Sequence, residues 1–181
     1  MRVIAGTARG TRLKAPRGMA VRPTADRVKE ALFNIIGPRI IGALFIDLYA
    51  GSGSVGIEAL SRGARSSIFV DNKKNNLALI RENLIKTRLE VNARLIMADV
   101  KKALTILCAE EVKADLIYLD PPYSMTDLSP VVGQIISRNI IADDGLIIVE
   151  HSHSNRQWAD DFALTRQKKY GDTCLTMVSP P

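Results

Sequence analysis

Three groups of residues in this chain have the types and spacing to do chemistry. The tightest is Asp120-Pro121-Pro122-Tyr123, which follows the apolar run Leu116-Ile117-Tyr118-Leu119. Two consecutive prolines fix the backbone and bring no N–H, so the carbonyls there are expected to stand as acceptors beside the Asp120 carboxylate. Such a set suits a donor-rich group, and the exocyclic amine of a nucleic-acid base, with its two N–H bonds, is one. Held that way, the amine nitrogen can be aimed at an electrophilic methyl group. Its lone pair is delocalised into the base, and acceptors on its protons help as positive charge develops during displacement. The methylated nitrogen is then acidic enough for its proton to leave to Asp120 or to water. Tyr123 adds a ring face on which a base can stack. The competing reading is a rigid Pro-Pro turn preceded by a helix-capping aspartate.

The second group runs from Asp47 to Gly56, as Asp47-Leu48-Tyr49-Ala50-Gly51-Ser52-Gly53-Ser54-Val55-Gly56. Gly51, Gly53 and Gly56 satisfy G-x-G-x-x-G, and Asp71 stands twenty residues after Gly51, where a ribose-binding acid belongs. A nicotinamide dinucleotide enzyme would look similar. Asp47 argues against it, because a carboxylate near the loop repels a pyrophosphate and tolerates a cofactor carrying an ammonium and a sulfonium. Asp99, after a third apolar run, can accept from an adenine amine. Each acid could equally cap the helix that follows it. The candidate cofactor contacts are thus Asp47, Tyr49, Ala50, Gly51, Ser52 and Gly53, then Asp71 with Asn72, and Asp99 with Val100.

The third group is basic. Of the net charge of +6, residues 1–39 carry +7 and the remaining residues −1. Arg2, Arg9, Arg12, Lys14, Arg22 and Arg27 are candidate phosphate contacts on this segment. A basic stretch on a near-neutral body is the footprint of a polyanion-binding arm, or else a solvated tail. Charge alone does not separate the two.

Alternating elements position these groups. Residues 1–22 are extended and broken by glycine and proline, which suggests a small hairpin. Val28, Ala31, Leu32, Ile35 and Ile36 form an apolar helical stripe, opened by Pro23-Thr24 and stopped by Gly37-Pro38. Then Ala43–Tyr49, Ser67–Asp71, Ala93–Ala98, Asp115–Asp120 and Gly145–Glu150 read as short apolar strands, several ending in an acid, with helical stretches between. That pattern implies an α/β fold, a parallel sheet covered on both faces, with ligands beyond the carboxyl ends of its strands. Phe162–Tyr170 and Thr173–Val178 read as an antiparallel hairpin closing one edge.

The remaining features exclude more than they assign. No apolar run has the roughly 18 residues of a membrane helix, and Arg2, Arg9 and Arg12 leave no signal-peptide core. Cys108 and Cys174 make no disulfide framework, which suits a reducing cytoplasm. His151 and His153 are two ligands without a third, so no metal is expected. Trp158 is expected to pack under the tail.

With these residues in view the chain resembles a known family. The Asp-Leu-Tyr-Ala-Gly-Ser-Gly loop and Asp-Pro-Pro-Tyr look like those of amino-methyltransferases acting on nucleic acids. Arg2-Val3-Ile4-Ala5-Gly6, Arg9-Gly10, Arg22-Pro23-Thr24-x-Asp26-Arg27-Val28-Lys29-Glu30-x-Leu32-Phe33-Asn34 and Lys169-Tyr170-Gly171-Asp172-Thr173 resemble the RsmD family, almost end to end. The resemblance implies a class I methyltransferase (Rossmann-like) sheet of seven strands, the last antiparallel, behind a small N-terminal hairpin and helix. It implies an appendage at 1–38 for RNA and a methyltransferase domain at 39–181. The activity implied is methyl transfer from S-adenosylmethionine, leaving S-adenosylhomocysteine, to N2 of one guanine in 16S ribosomal RNA. The implied substrate is the 30S subunit or its assembly intermediate, with the enzyme a cytoplasmic monomer. Gly51 to Gly53 and Asp71 would hold the cofactor, Asp99 its adenine, and Asp120 to Tyr123 the guanine, with Arg22 to Thr24 bordering the site. Two departures stand out: the family commonly has Phe at Tyr49, and often Glu at Asp71. Two rivals stay open, an amino-methyltransferase of adenine N6 in DNA or RNA, and a non-catalytic RNA-binding assembly factor. A short chain leaves little room for reading DNA sequence, and a factor without activity need keep neither Asp120 nor the glycine loop.

Overall fold

The computed structural model describes residues 1–15, 23–122, 124–155, 157–162 and 164–181. Seven strands form one sheet: β1 (Leu44–Leu48), β2 (Ser66–Asp71), β3 (Ala93–Met97), β4 (Ala114–Leu119), β5 (Ile141–Ser152), β6 (Leu164–Tyr170) and β7 (Thr173–Val178). Five α-helices are described: α1 (Pro23–Ile36), α2 (Ser54–Ser61), α3 (Lys74–Thr87), α4 (Val100–Ala109) and α5 (Ser129–Ser137). The strand order is β3-β2-β1-β4-β5-β7-β6, with β1 to β5 parallel and β7 antiparallel to both neighbours. This is the class I methyltransferase sheet. The terminal hairpin closes the edge by inserting its second strand, β7, between β5 and β6.

Strand alternation sorts the core into two layers. On one face Phe45, Phe69, Leu116, Tyr118 and Ile148 pack with α1, α2, α3 and the N-terminal segment. On the other, Ile46, Leu48, Ile117, Leu119 and Val149 pack with α4, α5 and Trp158. The sheet is therefore covered on both faces, as its near-continuous apolar strands require. Residue parity also puts Asp47, Asp120 and Glu150 on the first face, at the carboxyl ends of β1, β4 and β5. β5 starts earlier than its apolar run suggests, at Ile141, and the β4–β5 register shifts between Ala114 and Leu116.

Residues 1–15 are folded onto the body. A single antiparallel bridge joins Arg2 to Arg12, and Gly10 N–H donates to Val3 O at 2.9 Å, so the expected hairpin is present in minimal form. Val3 and Leu13 enter the first core layer beside Leu32 and Phe33 of α1. The docking is polar as well as apolar. Glu58 of α2, fully buried, accepts from Ile4 N–H (2.8 Å) and Ala5 N–H (2.9 Å) and pairs with Arg62 (2.7 Å) and Lys29 (3.5 Å). The Lys29 ammonium also donates to Arg2 O at 2.7 Å. Burial lowers its pKa, and the Glu58 charge opposes that shift.

Gly6 sits at the tightest point of this docking, with φ +83°. A Cβ there would lie 1.7 Å from Ser61 O, whereas at Gly10, with φ +84°, it would meet nothing within 4 Å. Both alanine variants incur the left-handed backbone cost of about 1–2 kcal/mol, and only Gly6→Ala adds a backbone clash. Gly6→Ala is predicted to lower the urea midpoint well beyond Gly10→Ala; equal losses would mean that the segment is not seated on α2 in solution.

Candidate active site

The glycine loop leaves β1 through an unusual backbone. Tyr49, Gly51 and Gly53 all have positive φ, at 66°, 55° and 76°. Tyr49 is the one side-chain-bearing residue among them, a conformation that costs energy and clusters at functional sites. Backbone bonds hold the turn: Ala50 N–H donates to Val70 O at 2.9 Å and Gly53 N–H to Ala50 O at 2.7 Å. Gly53 caps α2 without a side chain. At Gly56 a Cβ would lie 2.3 Å from the Phe69 ring, so this glycine lets α2 lie close on β2.

The acids around the loop are each engaged. Asp47 is buried, and its Oδ2 accepts from Gly56 N–H at 3.0 Å in the first turn of α2. Burial raises its pKa to about 7; the Asp71 charge adds to the shift and the Gly56 hydrogen bond opposes it. The reason Asp47 disfavours a pyrophosphate is therefore more specific than charge repulsion. Its carboxyl already occupies a donor at the helix N-terminus, where a phosphate would bind. Asp71 is also buried and accepts from Gly51 N–H (2.9 Å), Lys73 N–H (2.8 Å) and Asn76 Nδ2 (2.9 Å), tying β2 to the loop. Asn72 is exposed beside it. Asp99, exposed, caps α4 through Oδ1 and Lys102 N–H at 2.8 Å, and its Oδ2 has no partner among the described residues. Val100 behind it is buried, and Ser52 is 9% exposed. The capping role read at Asp99 is thus real, and it leaves an oxygen over.

Asp120 follows β4 at the carboxyl edge, and beside it a cavity of about 230 Å³ opens between the 120–126 loop and the end of β5. Pro121, Pro122, Met125, Glu150, His151 and Asn155 contribute to its lining. The Asp120 side chain is exposed to this cavity yet has dense protein around it. Loss of bulk solvation, then the charges of Glu150 and Asp47, raise its pKa well above the usual range. The two proline carbonyls are not equivalent, which corrects the expectation of free acceptors at both. Pro122 O accepts from Met125 N–H at 2.8 Å, while no donor among the described residues reaches Pro121 O. Tyr123 and Arg22 lie outside the described residues, as does the side chain of Thr24, whose backbone stands in the first turn of α1.

Met125, Asn155, Tyr118 and Glu150, to which sequence reasoning gave no role, join the two halves. Tyr49 Oη donates to Met125 Sδ at 3.5 Å, linking the glycine loop to the 120–126 loop. Asn155 Nδ2 donates to Met125 O at 3.3 Å from beyond β5. The buried Tyr118 hydroxyl donates to Glu150 Oε2. Burial raises the Glu150 pKa and the Tyr118 bond partly offsets this. Only Glu150 had a visible signal, an acid closing an apolar strand. His151 lies in β5 and is buried, with Nε2 2.8 Å from Thr176 Oγ1 and its ring edge-on to Trp158. Trp158 is buried under the tail, as expected. Among the described residues no group of three possible metal ligands occurs.

The basic residues separate into two kinds. Arg2, Arg9, Arg12 and Arg27 are exposed. Lys14 pairs with Glu82 at 2.6 Å, and its backbone is held by Asn83, which also donates to Ser52 O at 3.0 Å. Lys29, counted in the basic segment, is buried and spent on Glu58.

This geometry can be set beside known proteins. The family model "Conserved hypothetical protein 95" matches residues 1–179. The chain is 39% identical over 175 residues to Bacillus subtilis YlbH, covering 96% of this chain and 95% of that one. It is 32% identical over 155 residues to Escherichia coli ribosomal RNA small subunit methyltransferase D, covering 86% and 76%. The chain belongs to the RsmD family of rRNA methyltransferases. The structure of a hypothetical protein from Thermus thermophilus superposes with a TM-score of 0.82 at 30% identity, over 99% of both chains. Family membership and the strand order agree on the class I sheet.

Asp47 makes a sharp pH prediction for this family member. Its folded pKa of about 7 lies above its ordinary value of 3.8, so between about pH 4 and 7 the folded state keeps a proton that the unfolded chain has lost. The Asp47 contribution to stability must therefore fall as pH rises through that window. Asp47→Asn keeps an acceptor for Gly56 N–H and removes the titration. Relative to the parent, the variant should gain urea stability from pH 5 to pH 8, and a flat difference would place the raised pKa elsewhere.

Proposed function

We propose that this protein transfers the methyl group of S-adenosylmethionine to the exocyclic N2 of a guanine in 16S ribosomal RNA. The observation that carries the reading is Asp120 beside the Pro121 carbonyl, which no donor among the described residues reaches, at a cavity whose Met125 is contacted by Tyr49 of the glycine loop. The loop suits that cofactor: its backbone turns through three positive φ residues, and Asp47 occupies a helix donor that a phosphate would need. Tyr49 to Gly53 with Asp47 would line the cofactor, Asp71 and Asn72 would face its ribose, and the spare oxygen of Asp99, with Val100 behind, its adenine. Thr24 is proposed at its methionine end. When bound, the cofactor supplies a sulfonium methyl, an electrophile, and leaves as S-adenosylhomocysteine.

The chain's own groups do the positioning. Asp120 and Pro121 O accept the two amine hydrogens and fix the nitrogen in line with the methyl group. Asp120 in its ionised form takes up charge as the nitrogen becomes cationic, and it or water removes the proton. The donors of the bound base favour that ionised form. Tyr123 is proposed to stack on the base. Residues 1–38 form the RNA-binding appendage in this reading and residues 39–181 the methyltransferase domain. Arg2, Arg9, Arg12, Lys14, Arg22 and Arg27 meet phosphates of an assembling 30S particle, and the protein works as a monomer in the bacterial cytoplasm. No helix among the described residues is long and apolar enough to cross a membrane.

Two experiments test this. Asp120→Ala should lower transfer to small-subunit RNA by about 100-fold or more while calorimetry shows unchanged cofactor binding. Near-parental turnover would remove Asp120 from the reaction, and nucleoside analysis giving methyladenosine would replace guanine by adenine. Arg9→Glu with Arg12→Glu should weaken RNA binding and flatten its salt dependence by about one unit of slope per lost phosphate contact. Unchanged RNA affinity would take the N-terminal face out of the interface.

A further inference from the structure

We infer that Glu150 is a specificity-determining residue of this site, accepting the ring N–H of the target base while Asp120 accepts from the neighbouring amine. This rests on the reading of a guanine amine as the methyl acceptor and names what selects guanine.

The arrangement comes from sheet geometry. β4 and β5 pair in parallel with Leu119 opposite Val149, so Asp120 and Glu150 are the next residues on adjacent strands. By parity both lie on the face that carries Tyr118 and Ile148, and both line the same cavity. They are close enough for the charge of Glu150 to act on Asp120. Glu150 is not free to swing: the buried Tyr118 hydroxyl, anchored on β4, holds Oε2. No donor among the described residues reaches Oε1, which leaves one carboxylate oxygen for a ligand in the cavity. Two acceptor groups side by side on a rigid sheet edge repel one another until a ligand brings donors to both.

Guanine brings them. Among the four RNA bases only guanine has a ring N–H, at N1, directly beside its exocyclic amine. Adenine and cytosine place an acceptor ring nitrogen next to the amine, which would face the Glu150 carboxylate lone pair to lone pair. Uracil has a ring N–H and no amine. A site built to hydrogen-bond a ligand N–H rejects the analogue that lacks it, because its own buried polar group is then left unpaired.

The test begins with small-subunit RNA methylated by the parent protein and the modified base located by mass spectrometry. A second RNA, joined from two pieces, carries 2-aminopurine at that position, which keeps the amine and turns N1 into an acceptor. The parent is expected to prefer guanine in kcat/KM by a factor of about 5 to 150. Glu150→Gln is expected to lose a comparable factor on guanine RNA with cofactor affinity unchanged, and the preference over 2-aminopurine should largely disappear, since its amide can donate to N1. A merely structural role would lower both substrates alike, and that result overturns the inference, as does a variant that discriminates like the parent. If Glu150→Gln does not fold, the parent decides alone: equal turnover of the two RNAs overturns it. Methylguanosine formed without selectivity sinks this inference only, whereas methyladenosine as the product sinks the proposed function as well.

Discussion

Glu58 is a carboxylate with no exposure to water, and its partners come from three directions: the backbone of Ile4 and Ala5, Lys29 of α1, and Arg62 at the end of α2. A buried charge is tolerated only when paired and hydrogen-bonded, and taking one partner from such a pair typically costs about 3–5 kcal/mol. The N-terminal segment therefore cannot lift off α2 without stranding the charge. Nor can α1 shift, because Lys29 bridges Glu58 and the Arg2 carbonyl. α2 begins at the glycine loop, so the same carboxylate that seats the basic segment also fixes that segment relative to the loop. Asn83 makes a second connection, from the Lys14 backbone to Ser52 O. Residues 1–14 are in this way seated on the body of the domain.

Rigidity at one end of the sheet matters because the other groups there are acids that repel. Asp47, Asp120 and Glu150 share one face at the carboxyl ends of three parallel strands, and two of them raise the pKa of the third. An apolar site would not collect such a row, and a phosphate-binding site would be harmed by it. In the proposed function a donor-rich amine and a cationic cofactor are the partners that make it favourable. Two of the three are meanwhile steered by a protein donor, Asp47 by Gly56 N–H and Glu150 by the Tyr118 hydroxyl.

Much of this was legible in the chain. The apolar runs located the five parallel strands, because strands buried on both faces must be apolar throughout, while the polar β6 was legible only as one arm of a hairpin. The acids that end them marked the functional edge, since a charge is admitted only where the strand leaves the core. Local pattern gave less on the docking of the N-terminus. Lys29 enters the charge of residues 1–39 like any other lysine and Glu58 carries no local signal; only the tertiary fold turns them inward, so the count of basic residues overstated the free charge. Pro122 was read as an open acceptor because nothing in Pro-Pro-Tyr announces the return of Met125 N–H. Glu150 and Asp120 lie thirty residues apart in sequence and meet only through the parallel crossover from β4 to β5.

The division of labour across the sheet follows from strand order. β1 and β4 are neighbours although β2 and β3 come between them in sequence, so the order reverses between them and a crevice opens above their ends. The glycine loop leaves one side of that crevice and the Asp-Pro-Pro turn the other, with Tyr49 reaching Met125 across it. A methyl donor held by the first and an amine held by the second would thus meet over the sheet edge without either loop having to move far. The two prolines then have a physical purpose beyond removing donors: they stiffen the exit of β4, which no helix follows until α5 at Ser129. In the proposed function, glycine flexibility on the cofactor side and proline stiffness on the base side are complementary solutions to the same alignment, one fitting backbone around a ligand and the other holding acceptors still.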